Sequence, residues 1–378
     1  MSTKLSLFLC LLYMLSPALR AQTVDRKAST ETKNLYENLR RLSGRAVLFG
    51  HQDDMAYGVG WKYEEGRSDL KELSGEYPAV FGWDLARLER NESTNLDGVP
   101  FDKMREYIRQ AYALGAVNTF SWHMDNPLNG KTAWDTTSLV TVKEMLPGGQ
   151  VHKKYRDWLD QFAAFNSALK GNDGKQIPIL FRPFHEHSGS WFWWGKKECT
   201  PAEYRDLWRF TIHYLRDVKQ SHNLLYVFNP SDFTTEAEYL ERYPGNDYVD
   251  VLSFDSYQYG PISNGEAFRN GLALKLKIQD SLAKRYHKIS AIGEMGYVEI
   301  PDPNWWSEVV WKGIENHTPA FLLVWRNAGY RPQEKDNHYY APYKGQNSAE
   351  DFLKMYRERK FLLQKGVAFL NLYAKPKH

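Results

Sequence analysis

The sequence predicts an α/β fold of the (β/α)8 TIM-barrel class, a single domain with enlarged βα loops that form a cleft. Three observations carry this. Eight short apolar runs of strand character alternate with amphipathic helical stretches along the chain. No glycine fingerprint follows the first run, as a doubly wound nucleotide-binding sheet requires. The runs end in ionisable and aromatic residues, which a parallel barrel gathers on one face.

The expected strands are residues 46–52, 79–85, 116–123, 177–185, 224–230, 249–258, 289–296 and 320–326. Each is a short, nearly continuous apolar run, the pattern of a strand buried on both faces. Between them the spacing predicts helices over 68–75, 101–114, 151–170, 201–220, 234–243, 265–287, 304–316 and 348–362. A further helix at 28–43 precedes the first strand. In the third of the intervening helices Trp158, Phe162, Phe165 and Leu169 recur at three-to-four-residue spacing, an apolar stripe for the core. The long 124–150 segment between the third strand and its helix reads as a cleft-forming loop.

Residues 1–21 carry Lys4, an apolar run from Leu5 to Leu15, and small residues at Ala18 and Ala21. This is the pattern of a secretory signal peptide cut near Ala21–Gln22, leaving a single domain over 22–378. The run is too short to span a bilayer. Cys10 lies inside it without small residues before it, unlike a lipoprotein anchor. After cleavage only Cys199 remains, so an intramolecular disulfide is excluded. An exported chain without disulfides points to the periplasm or the extracellular medium of a bacterium. Removing Lys4 and Arg20 takes the 49 basic residues to 47 against 46 acidic ones. That balance, with no basic run, argues against a nucleic-acid partner, and no membrane partner is expected after cleavage. Aromatic residues make up 15% of the chain, with 13 Trp and 24 Tyr, and flat aromatic faces suit sugar rings.

The strand ends bring a defined set of polar residues to one mouth. They are His51 with Asp53 and Asp54, Asp84, Trp122 with His123, His185 with Glu186, Asp232, Asp255 with Tyr257 and Tyr259, Glu294, and Trp325 with Arg326. Two of them are glutamates, at the ends of the fourth and seventh strands. Such a pair suits a retaining glycosidase, in which one carboxyl protonates the leaving oxygen and the other attacks the anomeric carbon. Glu186 fits the acid/base, because two imidazoles and three tryptophans within eight residues favour a neutral carboxyl. Glu294 fits the nucleophile, and Gly293 and Gly296 leave little bulk beside it for an approaching sugar.

Two motifs, Arg182-Pro-Phe-His-Glu-His-Ser-Gly-Ser-Trp-Phe-Trp-Trp-Gly195 and Ile292-Gly-Glu-Met-Gly296, resemble glycoside hydrolase family 26, typified by bacterial β-mannanases. Gly50-His51-Gln52 and Ser121-Trp122-His123 also fall where that family has them, so the resemblance runs over the whole chain after the signal. It implies a clan A barrel that hydrolyses β-1,4-mannosidic bonds of mannan, galactomannan or glucomannan with retention and without a cofactor, and a monomer is the default expectation for a barrel of this size. Carried over by motif, Glu186 resembles the acid/base and Glu294 the nucleophile. His185 resembles the histidine that orients the site, and His123 the one lining the subsite of the cleaved mannose. Trp191 resembles the aromatic wall at the cleavage point, Tyr259 the tyrosine bonded to the nucleophile, and Trp325 the hydrophobic floor. Arg326 is expected on the distal glycone side, with Trp134 as a second wall there.

Other readings compete. Arg182 suits fixing carboxylates below the floor, and His51 and Asp54 suit supporting hydrogen bonds. Trp193 and Trp194 serve equally as loop packing or as sugar platforms. A metal among His51, His123, His185 and His187 is disfavoured, since His185 and His187 point to opposite faces in an extended chain. The same family chemistry on mixed-linkage glucan or β-1,3-xylan is the nearest rival function. A non-catalytic carbohydrate-binding barrel is the alternative of a different class.

Overall fold

The computed structural model describes residues 22–332, 335–358 and 360–376. The expected signal peptide lies outside the described residues. Among them, no helix is long and apolar enough to cross a membrane.

The eight apolar runs form eight parallel strands. They are β1 (Val47–Gln52), β2 (Val80–Asp84), β3 (Val117–Ser121), β4 (Ile179–Arg182) and β5 (Leu224–Phe228). β6 (Val251–Leu252 and Asp255–Gln258) and β7 (Ile289–Ser290 and Ile292–Tyr297) come in two pieces, and β8 is Phe321–Val324. Neighbours in sequence are neighbours in the sheet, and β8 pairs back onto β1, which closes the ring. Both pieces of β6 pair with the matching pieces of β7. Backbone bonds continue between those pieces, Ala291 N–H to Leu252 O at 3.0 Å and Gly293 N–H to Phe254 O at 2.9 Å. Side chains of β1 to β5 are buried throughout, as a sheet sandwiched between a filled interior and an outer layer of helices requires.

The helices cover the ring with periodic apolar faces. The helix Phe101–Ala113 buries Phe101, Met104, Tyr107, Ile108 and Ala111, and His152–Ser167 buries Tyr155, Trp158, Leu159, Phe162 and Phe165. Pro201–His213 starts on a capping box in which Thr200 and Glu203 satisfy each other's backbone N–H, with Pro201 in the first turn. The helical stretches expected at 201–220 and 304–316 are present but end and begin, respectively, in wider π-type turns, Tyr214–Val218 and Trp305–Trp311.

Four features were not read from the sequence. A short helix, Thr141–Met145, sits inside the 124–150 loop. A hairpin, Asn327–Arg331 with Asp336–Tyr339, rises after β8. Phe361–Leu362 adds a parallel strand beside the start of β1, and Gln364–Leu370 follows as a helix. At the N-terminal barrel face, Val24 N–H donates to Asp250 Oδ1 at 2.7 Å and Asp25 pairs with His222 at 2.7 Å, so the chain is anchored from its first described turns.

Candidate active site

The cleft at the C-terminal strand ends is a cavity of about 350 Å³. Leu96, His123, Trp134, Glu186, Trp191, Phe192, Tyr257, Tyr259, Glu294, Trp325, Arg326, His338 and Tyr340 line it. Larger cavities open where chains enter β3, β4, β7 and β8, on the face that in this architecture serves stability rather than chemistry.

Glu186 is set by an unusual turn. β4 ends at Arg182, and the chain then places Phe184 at φ 49° and Glu186 at φ 55°, both in the left-handed region that side chains with a Cβ avoid. The turn is fixed from all sides. Glu186 N–H donates to Asn229 O at 2.7 Å, Tyr204 Oη–H to Phe184 O at 2.9 Å, and Trp194 Nε1–H to His185 O at 2.8 Å. Trp193 and Trp194 are fully buried, Trp193 donating to Met124 O at 2.9 Å, so both are packing of this turn and not platforms.

Glu294 lies within β7 and is only 4% exposed. Both its oxygens are held: Tyr257 Oη–H donates to Oε2 at 2.8 Å, and Arg182 Nη2–H donates to Oε1. Arg182 Nη1 bonds Asp255 Oδ2 at 2.9 Å, so one buried guanidinium ties two carboxylates together. One oxygen each of Glu186, Asp255 and Glu294 lie within 4.8 Å of one another. Among the described residues this is the cluster with metal-ligand geometry, but Arg182 already supplies its positive charge.

The two glutamates differ in surroundings. Burial, and then the charge of Glu294, push the Glu186 carboxyl up to about 7, against the pull of the Trp191 N–H, His123 and Arg182. Trp191 Nε1–H donates to Glu186 Oε2 at 2.7 Å. His123 Nδ1 lies 2.7 Å from Asp84 Oδ2 and its Nε2 lies 3.3 Å from His185 Nε2. Burial disfavours an imidazolium at His123, yet Asp84, Glu294 and Glu186 together hold its value above the ordinary one. Burial, Arg182 and His123 push His185 far down, so it is neutral.

The remaining expected residues fall as follows. Trp134 is 49% exposed and stacks on His123 at 5.1 Å and 12° between planes. Trp325 is buried at the cleft base with the Arg326 guanidinium over its ring at 5.1 Å. Arg326 also pairs with Asp97 at 2.9 Å, as does Arg331 at 3.1 Å. His51 bonds Asp54 at 2.6 Å, away from the cavity. His187 turns away from His185 and is buried between Tyr204 and Phe228.

Two expectations are corrected. The tyrosine bonded to Glu294 is Tyr257, not Tyr259. Both side chains share a strand parity, but β6 ends at Gln258, so Tyr259 stands on the rim, 77% exposed. Gly293 and Gly296 do not make room for sugar. A Cβ at Gly293 would meet Asn229, Ser253 and Asp255, and one at Gly296 the rings of Tyr340 and Tyr257. Sequence reasoning also missed Leu96, Phe192, His338 and Tyr340 as lining. Only Phe192, inside the tryptophan-rich motif, had a signal in the chain.

The chain matches glycosyl hydrolase family 26 over residues 24–330. It is 34% identical over 347 residues to a mannan endo-1,4-beta-mannosidase of Bifidobacterium adolescentis, covering 87% of this chain and 34% of that one. It is 28% identical over 281 residues to the mannan endo-1,4-beta-mannosidase A and B of Caldalkalibacillus mannanilyticus, covering 69% and 51%. The chain thus spans about a third and a half of the lengths of these relatives. Among solved structures it resembles a GH26 beta-mannanase from Bacteroides ovatus, with a TM-score of 0.87 and 42% identity over 93% of this chain and 99% of that one.

Proposed function

This chain belongs to glycosyl hydrolase family 26, and we propose that it is an exported retaining β-1,4-mannanase acting on mannan polymers or manno-oligosaccharides. One observation carries the reading. Carboxyl oxygens of Glu186 and Glu294 lie within 4.8 Å of each other across the cleft. Retaining glycosidases hold their carboxyls about 5–5.5 Å apart, whereas inverting ones leave about 6.5–9.5 Å for a water.

In the first step Glu294 attacks the anomeric carbon while Glu186 gives its proton to the glycosidic oxygen, and the bond between them breaks. A covalent glycosyl-enzyme forms and the shortened chain leaves. In the second step the Glu186 carboxylate takes a proton from water as that water attacks the same carbon, which frees Glu294 and returns the β configuration. A carboxyl held near 7 suits both halves of this exchange, since it gives and regains a proton near neutral pH. Arg182 and Tyr257 aim the Glu294 carboxylate and leave neither oxygen free to rotate. Trp134, Trp191 and Tyr259 offer the sugar half-exposed to exposed rings.

The test is hydrolysis of linear mannan and mannohexaose with the anomeric configuration of fresh product read by proton NMR. β product is expected, with Glu186→Ala and Glu294→Ala each losing several orders of magnitude in turnover while staying folded. A slow 2-fluoro mannoside is expected to label Glu294. α product would overturn retention. Activity confined to lichenan or xylan would overturn the choice of substrate. A ladder of oligomers against mannobiose alone separates an open cleft from a blocked one.

A further inference from the structure

We propose that Asp84 is a positioning residue that holds His123 as an imidazolium, a fixed cation and Nε2–H donor in the cleft whose charge acts on Glu186. Asp84 is the last residue of β2, is fully buried, and does not line the cavity. Everything around it donates. Ser121 Oγ–H reaches Oδ2 at 2.7 Å, Ala86 N–H reaches Oδ1 at 2.8 Å, and His123 Nδ1 lies 2.7 Å from Oδ2. A carboxylate so surrounded accepts only, so Nδ1 of His123 carries a hydrogen.

The other side of the ring decides its charge. His123 Nε2 and His185 Nε2 are 3.3 Å apart, which one hydrogen can bridge and two cannot. Three carboxylates face His123: Asp84 from β2, Glu186 from the turn after β4, and Glu294 from β7. His185 instead feels the charges of Arg182 and His123, and both oppose a proton on it. The bridging hydrogen therefore sits on His123, and His185 accepts it as a neutral ring protonated at Nδ1. Trp134 lies face to face with His123, an arrangement that favours a cation on the stacked ring. His123 is among the groups that pull the Glu186 carboxyl down. Asp84 bonds His123, and His123 acts on Glu186, so the route proposed from Asp84 to Glu186 runs through His123.

The test is 15N-histidine NMR of the full chain without substrate, with His123→Gln used to assign the resonance. In the wild-type chain both ring nitrogens of His123 are expected to stay protonated through pH 7. In Asp84→Asn, His123 is expected to turn neutral at lower pH. The basic limb of kcat/KM is then expected to move up by on the order of half a pH unit, because Glu186 loses a nearby cation. That limb rests on the acid role proposed for Glu186; the NMR readout does not, so an inactive protein on mannan leaves the charge assignment still measurable. A wild-type His123 that is neutral at pH 6 overturns the proposal, whether or not the variant folds. So does an Asp84→Asn chain that loses activity with its basic limb unmoved, which marks Asp84 as merely structural.

Discussion

The indole Nε1 of Trp191 lies 2.7 Å from Oε2 of Glu186, so a half-exposed cleft wall is also a hydrogen-bond donor to the proposed acid. The Trp191 ring lies over Gly189, where a Cβ would collide with it, and this fixes the indole in place. Donation stabilises the ionised carboxylate and opposes the upward push of burial. In Trp191→Phe that bond is lost and the stacking face largely kept. The acid then stays protonated to higher pH, and the basic limb of kcat/KM is expected to rise by roughly half to one pH unit. A pH–rate profile with an unmoved or lowered basic limb contradicts the role.

Arg182 is the cation between Asp255 and Glu294, and all three are buried. Arg182→Gln leaves two buried carboxylates without it, which is expected to cost about 3–5 kcal/mol of stability. Arg182→Lys is expected to recover little, since an ammonium lacks the planar fork that reaches both partners. Urea unfolding of the two variants checks this, and wild-type midpoints in both would remove Arg182 from its structural place.

Tyr257 and Tyr259 separate the two readings of the β6 end. Tyr257→Phe removes the hydrogen bond to Glu294 and is expected to lower kcat by roughly 10–100-fold with little change in KM. Tyr259→Phe keeps its ring on the rim and is expected to be near wild type, while Tyr259→Ala raises KM. Steady-state kinetics on mannohexaose decide it. A larger kcat loss in Tyr259→Phe than in Tyr257→Phe would restore the sequence-based assignment.

His187 predicts a pH-dependent stability. It is buried between Tyr204 and Phe228, and burial, then Arg242, hold its value well below that of a free imidazole. A depressed folded value means the unfolded chain takes up the proton first. Stability is therefore whole above about 6.5, the unfolded value, and falls as pH drops below it, by up to about 1.4 kcal/mol per unit. His187→Phe is expected to flatten the decline of Tm between pH 7 and 5. An equally steep decline in the variant would place the sensitivity elsewhere.

The barrel was legible because its signal is local. A strand buried on both faces is a short apolar run, so β1 to β8 could be counted, and the helices between them followed from their stripes. The two glutamates were legible because they close two of those runs. The contacts that tune them were not. Asp84 and His123 are 39 positions apart, and Arg182 and Glu294 are 112, and they meet only through the curl of the sheet. Which of Tyr257 and Tyr259 meets Glu294 depends on where β6 stops, and both have the same alternation in sequence. Trp191, Trp193 and Trp194 read alike in the chain, yet one is 43% exposed and the others are sealed behind the turn. His338 and Tyr340 reach the cleft from a hairpin without any motif.

The left-handed backbone at Glu186 sets selection for turnover against selection for persistence. A non-glycine residue there costs about 1–2 kcal/mol. Glycine adopts that conformation freely. With Glu186 as the proposed acid, a lineage released from the proposed reaction is expected to gain stability by losing this one side chain. It would keep Trp134, Trp191 and Tyr259, and with them the aromatic lining of the cleft. On the proposed role of Glu186, the step from enzyme to lectin-like barrel relieves backbone strain, and selection for the chemistry is what opposes it.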